Sequence, residues 1–266
     1  MYACRSATRW CALVASGLVL LAGGDVRIRR RACGRRAEAR GVNGENPVWQ
    51  QRLSERLSDE RGKRVIFVSH CLLNQNTRYL GGAFRPGTVR ELVDAIERDG
   101  LGIVQMRCPE QCAWGGVRKR YILRVYGARG TLWYRLLPLL YPLFLWYTRW
   151  RYHILARRVA REIADCTRSG ISVEGIVGVG GSPSCGVRTT LDLRRSLEVL
   201  ANTPIARLNR DTMNEQAIVA CRREGEGLFT ETLRRELRLK QLAVPWYEHD
   251  LLDEIRGLRA RLLSGA

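Results

Sequence analysis

Arg64–His70, RVIFVSH, decides the fold. Val65 to Val68 are an unbroken apolar, largely β-branched run that ends in polar residues, the pattern of a short strand buried on both faces of a parallel sheet. Working outward, Thr88–Asp99 places Val89, Leu92, Val93 and Ile96 on one helical face and stops at Gly100. Leu101–Met106 is read as a second strand. Ile154–Ser169 is read as a helix with an arginine-rich outer face, stopped by Gly170. Val173–Val179 is a third strand running into the Gly180–Gly181 turn, and Ile205–Leu208 is read as a fourth. Leu228–Gln241 and His249–Leu263 carry amphipathic helical spacing. Strand–helix alternation of this kind predicts an α/β fold, a mainly parallel sheet with flanking helices in one domain. That domain is expected over 50–266, after an extension covering 1–49, and no internal repeat is evident.

The chain has 266 residues, 45% of them apolar, enough for one medium-sized domain with its own core. Its 45 Lys+Arg against 26 Asp+Glu give a net charge of +19, which on its face suggests a nucleic-acid or membrane partner. The charge is uneven. Residues 1–40 carry +7 and residues 117–158 carry +10 with no acid, leaving +2 for everything else. Only Lys63, Lys119 and Lys240 are lysines, so the excess is arginine. Composition excludes disorder, collagen-like repeats and a uniformly basic DNA-coating protein.

Residues 10–24, WCALVASGLVLLAGG, follow Arg5 and Arg9 as the apolar part of a secretory signal does, but the Arg27–Arg36 cluster just after fits export poorly. An upstream extension, a membrane anchor and a cleaved signal all remain open, and the stretch from there to Trp49 reads as a linker. The second unusual segment, Leu132–Tyr147, is LWYRLLPLLYPLFLWY. Pro138 and Pro142 are expected to kink a helix here. Aromatic residues at both ends with cations beyond them suit a membrane surface, and they suit equally an amphipathic insert packed on the protein's own core or on a partner. Within this reading the chain is cytoplasmic, with membrane association through 132–147 left open.

Nine cysteines, at 4, 11, 33, 71, 108, 112, 166, 185 and 221, are an odd count with irregular spacing. That argues against a disulfide scaffold and for a reducing compartment. Cys71, Cys108 and Cys185 each follow a predicted strand, and ligands bind at the carboxyl ends of strands in open α/β sheets. The other cysteines read as packing residues or surface thiols. Three thiolates without a fourth suit a soft metal centre with an open position, either zinc or a [4Fe–4S] cluster held at three corners, whereas three inert thiols remain the plain alternative. In RCPE, Pro109 fixes the backbone between Cys108 and Glu110, a carboxylate placed for general acid–base work beside a metal, or simply for a helix N-terminus. In GVGGSPSCG the glycines and proline make a tight turn around Cys185, with the Ser182 and Ser184 hydroxyls beside it. His70 and Cys71 make a poor nucleophile pair, since neighbours on an extended segment point to opposite sides. His153 and His249 read as surface or core residues, and no Walker loop, GxGxxG or HExxH motif is present.

SHCLLNQNTRY, RCPE and GVGGSPSCG, in this order, resemble the TudS-type desulfidases, the thiouracil desulfidase family, and within it a subgroup with CLLNQN. The resemblance spans about Arg64 to Glu248. It implies a small Rossmann-like domain in which Cys71, Cys108 and Cys185 hold a [4Fe–4S] cluster. The fourth iron would bind the sulfur of a small thiolated substrate, commonly a thio-pyrimidine, and water would replace that sulfur. By the same resemblance Glu110 activates the water and Ser182 orients substrate or sulfide, while Asn74, Asn76, Arg78, Tyr79 and Ser184 contact the substrate. Asn74 and Leu80 stand where studied members carry Gly and Asp, which points to a different pocket. Cys112 is an additional thiol that would close the site if it ligated the cluster, and the insertion 117–158 has no counterpart in the family pattern. Two other readings stay open: a membrane-associated Fe–S or zinc protein without turnover, and a desulfidase of thiolated tRNA with 117–158 as its phosphate footprint. The leucine density of that insertion makes nucleic acid the weaker partner.

Overall fold

In the computed structural model, which describes residues 48–125, 129–257 and 264–265, the run RVIFVS is strand β1 (Arg64–Ser69). Within the first unit of the chain, which ends at Ser58, the described residues form helix α1 (Val48–Arg56). The second unit, from Asp59 onward, is the α/β domain. After β1 come α2 (His70–Leu73), α3 (Arg90–Arg98), β2 (Gly102–Met106), α4 (Pro109–Ala113), α5 (Arg120–Val125) and the 37-residue α6 (Leu132–Arg168). Then follow β3 (Ser172–Gly180), β4 (Thr189–Leu191), α7 (Leu193–Asn202) and α8 (Arg210–Thr212), which runs into a π-helical segment Met213–Val219. The chain continues through β5 (Arg222–Glu224), α9 (Leu228–Leu239), β6 (Trp246–Asp250), α10 (Leu251–Ile255) and β7 (Ser264–Gly265).

The main sheet has the order β2-β1-β3-β6-β7, parallel except for the last pair, and β4 and β5 form a separate antiparallel ribbon. Alternation along the strands feeds two cores. Phe67 and Ile176 point into the layer built with Tyr152, Val159 and Ile163 of α6 and Phe229 and Leu233 of α9. Ile66, Val68, Val177 and Val179 point the other way, into Val89, Leu92 and Ile96 around α3. Helices therefore cover both faces, which is why the strands read as continuous apolar runs. This is an α/β domain with a mainly parallel sheet, as the alternation predicted, and it is Rossmann-like, as the resemblance implied.

Three expectations are corrected. Ile205–Leu208 is not a strand: after Pro204, Ile205–Arg207 form a 3₁₀ turn, and Ile205 is 87% exposed. His249 does not begin a helix, because Trp246–Asp250 pairs in parallel with β3 and only Leu251–Ile255 is helical. Residues 258–263 of that expected helix lie outside the described residues, as do the apolar run 10–24, the Arg27–Arg36 cluster and Cys4, Cys11 and Cys33. Finally, Ile154–Ser169 is only the second half of α6, which runs through Pro138 and Pro142 from a Thr131 cap. Both prolines sit on the exposed side of the helix. Among the described residues no helix is long and apolar enough to cross a membrane.

Candidate active site

From β1 the chain crosses to β2 on one side, then returns to β3 on the other. Connections that leave two neighbouring strands in opposite directions open a crevice at their carboxyl ends, where ligands bind in such sheets. Cys71 lies in α2 just past β1, Cys108 caps α4 just past β2, and Cys185 follows β3. The three thiols are free and line one cavity of about 620 Å³. His70 and Cys71 open a helical turn rather than an extended segment, so both reach this cavity, and the His70 ring Nδ1 is already engaged by the Gln105 amide.

Each side chain is set by local chemistry. Pro109 at the first helical position starts α4 and puts Glu110 in its first turn. After β3, Gly181 takes a left-handed φ of 76°, and the Ser182 hydroxyl oxygen accepts from the backbone N–H of Ser184 (3.3 Å) and Cys185 (3.1 Å). The loop then folds back so tightly that a Cβ on Gly186 would overlap the Thr189 carbonyl oxygen. Glu248 of β6 clamps its far side: one carboxylate oxygen accepts from the N–H groups of Val187 (2.8 Å), Arg188 (2.6 Å) and Thr189 (3.2 Å).

Glu110 is buried and double-held. The Ser184 hydroxyl donates to it at 2.8 Å, and the Lys119 ammonium is its ion-pair partner. Lys119 returns to Glu110 through the left-handed glycines Gly115 and Gly116, and itself adopts a φ of 50°. A non-glycine residue in that region is strained by about 1 kcal/mol or more. Burial works against the Lys119 charge, but Glu110 and Cys108 outweigh it and hold its pKa above the ordinary lysine value. On the opposite wall Arg78 makes a two-pronged ion pair with Glu254, at 2.5 and 3.1 Å. Glu254 also accepts from the Gln75 amide at 3.0 Å and from the His249 ring. Burial opposes ionisation of Glu254, yet His249 and Arg78 prevail and hold its pKa at about 2.

Burial pushes all three thiols up. Cys108 reaches about 12, with Glu110 adding to burial. Cys185 is raised well above the usual range by burial and by Cys71 and Cys108 acting through space. Cys71 is raised by burial while Arg78 and Lys119 pull the other way. Bare, these are protonated and unreactive thiols at neutral pH; a metal is what makes buried thiols ionise. Among the described residues no group of three or more His, Cys, Asp or Glu side chains is placed to hold a single metal ion.

Asn76, Arg78, Tyr79, Ser182 and Ser184 line the same cavity as the cysteines and Glu110. Asn74 does not. Its side-chain oxygen accepts from the Asn76 backbone (3.2 Å) and amide (2.9 Å), shaping the loop from outside the cavity. Cys112, one turn beyond Cys108 in α4, packs against the apolar cluster around Tyr152 and is absent from the cavity lining. Cys166 and Cys221 also lie away from it. Sequence reasoning missed Lys119, which stood among arginines as one more cation. The signal was the Gly115–Gly116 pair, which lets the chain reverse within nine residues of Glu110. It also missed Glu254 and Glu248, buried acids in a segment read as an amphipathic helix and its approach.

No family model matches the chain, and no solved structure matches it. A 50-residue stretch is 40% identical to an uncharacterized protein of Methanocaldococcus jannaschii, covering 19% of this chain and 32% of that protein. The chain thus matches about a third of the length of that relative.

Proposed function

We propose that the protein is a desulfidase of the TudS type that uses a [4Fe–4S] cluster to remove sulfur from a small thiolated compound by hydrolysis. The observation that carries the reading is the convergence of Cys71, Cys108 and Cys185 on one cavity at the switch point of the sheet, with Glu110 and Lys119 beside them. The donor set fits the group. Three cysteines lining one roomy cavity, without a group placed for a single ion among the described residues, suit a multi-iron cluster better than one zinc ion, whose ligands must all lie about 2.3 Å from a single point. Arg78 and Lys119 face Cys71 and offset the negative charge that bound thiolates bring. Among the described residues the buried Arg78 Nε–H has no oxygen or nitrogen partner, and the guanidinium lies close enough to Cys71 to favour its thiolate. Bound there, the cluster supplies a Lewis-acidic iron with an open position for a soft ligand such as sulfur.

The remaining work falls to the chain's own residues. Lys119 pairs with Glu110, and the Ser184 hydroxyl fixes its orientation, so the carboxylate is positioned to take a proton from water attacking a thiocarbonyl carbon. Ser182 holds Ser184 and the Cys185 backbone in register with it. In the overall reaction a C=S bond breaks and a C=O bond forms. Water supplies the oxygen, both of its protons leave with sulfur as hydrogen sulfide, and no electrons are exchanged. Apolar walls such as Leu193, Leu197 and Met213 favour a compact, largely apolar substrate body carrying the thiocarbonyl. The test is sulfide release by anaerobically reconstituted protein from 2-thiouracil, 4-thiouracil and simple thioamides. Release by the wild type and none by Cys185→Ala is expected. Absence of sulfide from every compound in a protein that carries its iron would overturn the reading.

A further inference from the structure

We propose that the first half of α6 is an interfacial helix that docks the protein on a membrane surface bearing anionic headgroups. Leu132, Leu136, Leu139, Leu143, Trp146 and Trp150 recur at spacings that place them within a sector of about 80° of the helix, a stripe about 27 Å long. All six are exposed, Leu139 at 66% and Trp146 at 70%. The opposite side of the same turns is already used: Leu137, Phe144, Thr148 and Tyr152 are buried in the domain. The helix is therefore apolar on two sides, and among the described residues only one of them has a partner.

Charge selects the occupant. The segment 117–158 carries ten cations and no acid, and Arg135 and Arg149 flank the stripe in exposed positions. A second copy docking face to face would press two such segments together with nothing acidic to offset them. An anionic bilayer surface meets both requirements, taking up the leucines and tryptophans while its headgroups pair with the arginines. Tryptophans at one end of the stripe suit the headgroup level. Because the other side of α6 is fixed in the core, the helix lies along the surface and does not enter as a span. A nucleic acid would use the arginines but leave the four leucines uncovered. This inference does not depend on the desulfidase chemistry.

The test is sedimentation of the full chain with vesicles of phosphatidylcholine alone or mixed with phosphatidylserine. Binding to the mixed vesicles is expected, with weaker binding to phosphatidylcholine and a decline with added salt. Leu139→Glu and Trp146→Glu, both at exposed positions, should each weaken it by about tenfold or more without lowering the melting temperature. Arg135→Ala with Arg149→Ala should weaken it and flatten the salt dependence. The proposal is overturned if the wild type does not bind, or if these variants bind as the wild type does, which would place the contact outside α6. It is equally overturned if they abolish a dimer in place of vesicle binding, or if they abolish RNA binding while vesicles go unbound.

Discussion

Replacing Glu254 by Gln removes one negative charge from a site where Arg78 and His249 were built to meet it. The side chains of Arg78 and Glu254 are only 4% and 1% exposed, so solvent cannot take over the lost interaction. The magnitude follows in two ways. The Glu254 carboxyl falls from the ordinary 4.5 to about 2, and at 1.36 kcal/mol per unit that gap is worth about 3 kcal/mol. Breaking a buried ion pair by removing one partner costs about 3–5 kcal/mol in general. The sign is set by the depressed pKa. The contribution is fully present above pH 4.5, declines as the pH falls through the interval down to about 2, and is gone below it. Urea denaturation of wild type and Glu254→Gln across that range should therefore show a gap of about 3–5 kcal/mol at neutral pH that closes on acidification. A gap smaller than about 1 kcal/mol at neutral pH, as a surface-type pair gives, would refute the reasoning, and so would one that persists unchanged at the acid end, where the carboxylate is protonated.

Three further outcomes follow from the site. Lys119→Met leaves Glu110 buried without its counter-ion, and sulfide release per bound iron should fall about 100-fold or more; undiminished turnover would show that the ion pair is dispensable. Glu248→Gln removes the charge that three backbone N–H groups share. Denaturation should report a loss of about 1.5–3 kcal/mol, with iron retention falling because the Cys185 loop loosens; a stable variant with full iron would contradict the clamp. Gly186→Ala drives a methyl into the Thr189 carbonyl, so denaturation should report a loss of about 1–3 kcal/mol, and a neutral result would mean the loop has slack.

The sheet and its ligand edge were legible because the strands that carry the cysteines are buried on both faces, and RVIFVS and SVEGIVGVG say so by composition alone. Strand β6 was hidden for the opposite reason. WYEHD looks like the polar start of an amphipathic helix, since Glu248 and His249 are buried through specific partners, the 187–189 backbone and Glu254, that no local pattern announces. Pro138 and Pro142 were expected to kink a helix, and α6 runs on through both, with Leu137, Phe144 and Thr148 of its packed side held in the core. The three thiols stood out by their place after strands. Lys119 did not, because its role depends on a chain reversal that brings a distant cation back over α4.

The central claim is that three thiols, and not four or two, hold one cluster. Its most direct measurement is iron and acid-labile sulfide per chain, with the absorbance near 400 nm, in anaerobically reconstituted wild type and single Cys→Ser variants. The account predicts about four irons and four sulfides per wild-type chain, a cluster lost or degraded in Cys71→Ser, Cys108→Ser and Cys185→Ser, and full loading in Cys112→Ser. Zinc in place of iron, or a Cys112→Ser variant as poorly loaded as the other three, would contradict it.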